Sequence, residues 1–160
     1  MLHNILSTVQ ERISMIERSQ WGEGLSREDM EQFAQYLYVA TAEPQEIIFN
    51  EGAREPYMCF ISKGLVRITK GDSRKTVKTI GDIGPGRSVG EMSIIDGLPR
   101  SATARAIEET VALVLTRDNF DRLIKDNPRL GVALYKKLAQ MVSHRLRVSD
   151  WMLAEYIYVE

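Results

Sequence analysis

The chain is short of the residues on which most catalysis and metal binding depend. One of its 160 residues is cysteine and two are histidine. No internal disulfide can form, and a zinc site would have to recruit scattered carboxylates. The histidines, His3 and His144, stand at opposite ends of the sequence. Cys59 sits in the apolar run YMCFIS, where a buried and unreactive thiol is expected. No apolar run nears the roughly 18 residues needed to cross a bilayer. The N-terminus MLHNILSTVQER lacks the basic and apolar regions of a secretory leader. A cytoplasmic protein with no membrane partner is therefore expected. Excess charge of one sign is missing too: 21 Lys and Arg face 22 Asp and Glu, so bulk charge offers nucleic acid no attraction. There is no G-x-x-x-x-G-K-[ST], no G-x-G-x-x-G opening a helix and no G-x-S-x-G. These absences point away from an enzyme. No catalytic residue, metal ligand or cofactor is assigned.

What is present divides into three zones within one domain of ordinary size. Residues 1–40 read as helical. Leu2, Ile5, Leu6, Val9, Ile13 and Ile16 recur at three- and four-residue steps, the spacing of one apolar helix face. WGEGL interrupts it, and Ser26 with Asp29 in SRED forms a capping-box start for a second helix, with Met30, Phe33 and Leu37 on its buried side. Residues 41–116 alternate strand-like runs (EIIF, YMCFIS, LVRIT, TVKTI, SATARA, VALVL) with turn residues such as NEG, KGDSRK and DGLPR. This spacing predicts an antiparallel sandwich or barrel. ISKGLVRIT reads as a tight hairpin turning at Gly64. Residues 117–160 return to helix. Phe120, Leu123 and Ile124 mark a short one, and Asn127 as cap with Pro128 at the first helical position starts a long one. The fold class is mainly β with flanking helices.

The densest cluster of special residues is GEMSIIDGLPRSATARA, from Gly90 to Ala106. Gly90 permits close backbone approach. Glu91 opens a run of one or two helical turns, which Gly97 can end. Pro99 stiffens the approach to Arg100, whose guanidinium can hold a phosphate through parallel hydrogen bonds. Ser101 adds a hydroxyl, and Ala102 is small. A carboxylate beside a phosphate site repels it, unless the carboxylate accepts from a sugar hydroxyl while the arginine neutralises the phosphate. One arginine balances one charge, as on a phosphodiester; Arg87 and Arg105 flank the cluster, the latter on an outward strand position. The alternative is a Glu91–Arg100 ion pair that merely closes a loop.

VGEMSIIDGLPRSATARA resembles the phosphate-binding cassette of the cyclic nucleotide-binding domain family, which includes kinase regulatory subunits, gated channels and bacterial catabolite activators. EIIFNEG, MCFISKGLVRI, GDIGPGRSVGE and TRDNFDRLI are similar to the family's roll strands and the following helix. Val89 stands where the family usually has an aromatic. The resemblance implies a jelly-roll-like β-roll, a double-stranded β-helix, at 41–116 with the cassette at 89–106. A helical segment at 1–40 would precede it and C-terminal helices at 117–160 would follow. It implies that Glu91, helped by Gly90, holds a ribose 2′-hydroxyl and that Arg100 holds the cyclic phosphate. Ser101 and Ala102 would donate to that phosphate, and Met92 and Ser93 would line the pocket. HRLRVSD is similar to the activator segment that reaches the base, so Ser149 would touch adenine and Arg145 would reach Glu91. Ser101 suits either base. The expected ligand is cAMP, with cGMP as the alternative.

Leu134, Leu138, Met141, Val148 and Met152 form a stripe interrupted by Arg145, which predicts a parallel homodimer through the last helix. The terminal WMLAEYIYV is apolar and seeks a partner or the roll. No helix-turn-helix, kinase or channel segment is expected within the chain, and its effector protein is open. The competing readings are a protein-interaction scaffold that no longer binds nucleotide, and an enzyme such as a phosphodiesterase.

Overall fold

The structure is a computed structural model that describes residues 2–157 apart from 73 and 75, with the backbone only at 156. Its N-terminal zone departs from the expected helix. His3–Ile5 forms strand β1, and helix α1 runs only from Val9 to Glu17. A capping box divides them. The Thr8 hydroxyl accepts from the Glu11 N–H, and the Glu11 carboxylate accepts from the Thr8 N–H. That reciprocal pair fixes Thr8 outside the helix and leaves Leu2–Leu6 extended, so β1 adds to the edge of strand β2, Tyr38–Ala42. Helix α2, Arg27–Ala34, starts on the Ser26/Asp29 box as the sequence indicates. Met30 and Phe33 are buried on it, whereas Leu37 is buried in the connection after it.

The middle zone supplies β3 (Ile47–Phe49), β4 (Tyr57–Lys63), β5 (Val66–Gly71), β6 (Val77–Ile83), β7 (Ser88–Val89), β8 (Thr103–Ala106) and β9 (Thr110–Thr116). They form two antiparallel sheets, ordered β1-β2-β9-β4-β7 and β3-β8-β5-β6. The expected hairpin at Gly64 is not one. Strand β4 pairs with β7 and β9, β5 with β6 and β8, so the chain changes sheets between them. Gly64 has φ +92°, and a Cβ there would fall 2.5 Å from the Glu109 carbonyl oxygen. Its role is a crossing pressed against another segment's backbone. Part of the KGDSRK turn, Ser73 and Lys75, lies outside the described residues.

Strands β4 and β9 are apolar on both faces because each borders two cores. Met58, Phe60, Leu113 and Leu115 face the helices with Trp21, Phe33 and Phe120. Cys59, Ile61, Ala112 and Val114 face the other sheet with Ile48 and Val66. Trp21 meets Phe60 edge-on at 4.9 Å between centroids, a geometry favoured by the ring quadrupoles. Cys59 is sealed in the inter-sheet core, and burial pushes its thiol up to about 12. The thiolate is therefore scarce at neutral pH.

Helix α4 spans Arg117–Asp126 and α5 spans Pro128–Ile157. The Asn127 side chain accepts from the Leu130 N–H at 3.1 Å, which is the expected cap. The stripe on α5 divides. Leu134 and Leu138 are buried in the core beside the helices, with Met141 packed against it; they are not part of a seam between chains. Val148 and Met152 are exposed. Of the terminal apolar run, Tyr158 and Val159 lie outside the described residues.

Candidate functional site

The cassette folds back on itself around one short helix. Helix α3, Glu91–Asp96, begins after Gly90 and ends at Gly97, whose left-handed N–H donates to the Ser93 carbonyl. Gly90 is required by geometry. It has φ +88°, and a Cβ would lie 2.9 Å from the Tyr57 carbonyl and 2.7 Å from the Arg100 guanidinium. The Arg100 N–H donates to the Ala53 carbonyl and its carbonyl accepts from Gly52, so the loop 98–102 is tied to the β3–β4 connection.

Arg100 is 5% exposed. It donates to the Gly90 carbonyl at 3.0 Å, to Ser93 Oγ at 2.6 Å and to the Tyr57 carbonyl at 2.6 Å. Its guanidinium lies 4.0 Å from the Phe49 ring centroid and 4.6 Å from that of Tyr57. Among the described residues no carboxylate pairs with it, and Nε has no hydrogen-bond partner. Burial pulls its pKa below the ordinary arginine value. A desolvated cation without a counter-charge is costly, and an anion delivered to it would relieve that cost.

Glu91 is 2% exposed. Its Oε1 accepts from Arg145 of α5, which also donates to the Ser88 carbonyl. Its Oε2 has no partner. The Glu91–Arg100 loop-closing pair is therefore absent; each residue has other contacts and one idle polar atom. Glu91, Arg100 and Arg145 line one cavity of about 210 Å³ with Gly90, Met92, Ser93, Ser101 and Ala102. Ser101 is exposed, its hydroxyl 3.8 Å from the Met92 sulfur. Ser149 is exposed, one turn beyond Arg145, and does not line the cavity. Arg105 donates to the Gln45 carbonyl outside the site. Sequence reasoning did not find Phe49 or Tyr57. Their signal is an aromatic on each of two strands, which is common in any β core. Among the described residues no cluster suits a metal ion, and no helix is long and apolar enough to cross a membrane.

The family model for the cyclic nucleotide-binding domain matches residues 39–127. The chain belongs to the cyclic nucleotide-binding domain family. It is 30% identical over 127 residues to the cyclic AMP receptor protein of Thermus thermophilus, covering 79% of this chain and 57% of that protein. A crystal structure of a cyclic nucleotide-binding domain from Methylobacillus flagellatus superposes with a TM-score of 0.81 at 30% identity, covering 92% of this chain and 83% of that one. The fold also occurs within enzymes: a lysophospholipase from Pyricularia oryzae is 26% identical over 102 residues, covering 64% of this chain and 6% of that protein. The chain spans about half the length of the cyclic AMP receptor protein of Thermus thermophilus and of the transcriptional regulators of Mycobacterium tuberculosis that it matches.

Proposed function

We propose that the domain is a sensor that binds cAMP, with cGMP the weaker ligand, and passes occupancy to α5. One observation carries this reading: a buried carboxylate with an idle acceptor and a buried guanidinium with no ion-pair partner among the described residues line the same cavity. A ribose hydroxyl supplies the donor that Glu91 Oε2 lacks. A singly charged cyclic phosphate supplies the anion that Arg100 lacks. Gly90, Met92, Ser93, Ser101 and Ala102 supply backbone and side-chain contacts to the sugar phosphate. The preference for adenine is supported by the 30% identical relative, whose name is that of a cyclic AMP receptor.

The cavity is small against the roughly 300–1,000 Å³ of ordinary ligand sites, and Arg145 is part of its wall. Binding would move Arg145 and with it α5, which brings Ser149 toward the base. A ligand shifts α5 only by its differential affinity for the two arrangements, and the Glu91–Arg145 contact is where that difference arises. The exposed Val148 and Met152 are the surface for a parallel homodimer, with an effector protein reading the helix. The expected setting is cytoplasmic, without membrane or nucleic-acid contact by this domain and without catalysis.

Calorimetric titration tests the reading. Wild type should bind cAMP more tightly than cGMP, and Arg100→Ala should cost roughly 2–5 kcal/mol of binding, as for loss of one partner of a buried charge pair. Absence of heat and of any thermal shift with both nucleotides at millimolar concentration overturns it. Mass spectrometry of the small molecule that co-purifies names the base.

A further inference from the structure

A second hollow lies on the outer side of the arginine that holds Glu91. Its volume is about 540 Å³, and Arg87, Lys137, His144 and Arg145 line it with Trp21 and Glu23. The lining is dominated by donors. The Arg87 guanidinium and the His144 ring have no hydrogen bond or ion pair among the described residues, and Lys137 reaches only the Glu23 carbonyl. Glu23 is the one carboxylate in the lining. Trp21 is 1% exposed, and its indole Nε1 has no partner. A buried donor left unsatisfied is destabilising, and Arg87, Lys137 and Arg145 share this hollow with one carboxylate, Glu23.

We infer that this hollow is an anion site for a small phosphate-bearing molecule. Guanidinium and ammonium groups complement several acceptor oxygens at once, and Arg87 and Lys137 bring both kinds to this hollow, with the Trp21 ring in its wall. Arg145 belongs to both cavities. An anion in the outer hollow draws Arg145 away from Glu91 and so alters nucleotide affinity; by linkage the nucleotide alters anion affinity equally. The anion site stands on its own geometry, whereas this coupling rests on the cyclic-nucleotide reading.

Trp21 and Trp151 are the two tryptophans, and Trp151 is exposed. The variant Trp151→Phe leaves Trp21 as the only indole reporter. Its emission should change saturably with inorganic phosphate or with glucose 6-phosphate, and not with chloride at matched ionic strength. Tighter response to the sugar phosphate identifies an organic ligand, and equal response identifies phosphate itself. Arg87→Ala with Lys137→Ala should raise the half-saturating concentration about tenfold or more, since charge-assisted hydrogen bonds are lost. The single Arg87→Ala change, at an exposed side chain, should give part of that shift. No saturable change at tens of millimolar, an equal change in chloride, or a midpoint unmoved by these variants overturns the site. Titration of cAMP with and without saturating phosphate then tests the coupling. Unchanged cAMP affinity overturns the coupling alone, and absence of cAMP binding overturns the nucleotide reading while leaving the anion site intact.

Discussion

Leu134 and Leu138 of α5 are sealed in the core, whereas Leu146, Trp151 and Met152 further along the same helix are exposed. Both stretches are apolar on one side, and no glycine or proline breaks the helix between them. The difference is one of reach. A helix of 30 residues is about 45 Å long, and the roll with α1, α2 and α4 covers only its first half. Arg145 stands near the crossing point, tied to Glu91 on the inner side. The first half is a structural element of the domain, and the second presents an apolar face that has no cover among the described residues.

The sharpest way to break this comparison is Leu134→Ala. It should cost about 2–5 kcal/mol of unfolding free energy, the range for a large-to-small change in a core, as read by urea denaturation. A loss no larger than that at an exposed position would mean that the first half is not anchored.

The next effect concerns pH. Arg129, on the first turn of α5, donates to the buried carboxylate of Asp29 on α2, and that hydrogen bond holds Asp29 below its ordinary 3.8. A depressed carboxylate contributes stability that is fully present above its unfolded value and is lost as pH falls through the folded one. The melting temperature of wild type should therefore fall as pH drops below that ordinary value. The acid limb should be shallower in Asp29→Asn and in Arg129→Ala. Parallel acid limbs in all three proteins would show that this contact does not anchor α5.

The smallest effect is expected from Met152→Ala. It should change monomer stability by no more than about 0.5 kcal/mol, as at an exposed site, while weakening self-association measured by sedimentation. A large loss of monomer stability would mean that the second half folds against its own roll.

Much of the local structure was legible in the sequence. The Ser26/Asp29 box, the Asn127–Pro128 restart and the Gly97 stop each depend on groups within a few residues of one another, and each forms. The cassette was also readable, because Glu91, Gly97 and Arg100 carry their spacing in one short segment. Arg145 reaching Glu91 followed from the resemblance alone. Other features were not legible. The three-to-four spacing of Leu2–Val9 counted apolar residues but overlooked the Thr8/Glu11 box that starts the helix later. The Gly64 turn showed where the chain bends and not which strand comes to lie beside it. The aromatic bed of Arg100 joins Phe49 and Tyr57 to a residue distant in sequence.

By itself the sequence determined the caps, the turns, the strand-like runs and the charge character of the cassette, since these arise from sterics and hydrogen bonds between near neighbours. Only the tertiary structure decided the sheet partners of β4 and β5, the half of α5 that is covered, and the burial of Arg100 without an ion-pair partner among the described residues. Those outcomes depend on which distant surfaces leave water together, a free energy set by the whole packed domain and carried by no single stretch of chain.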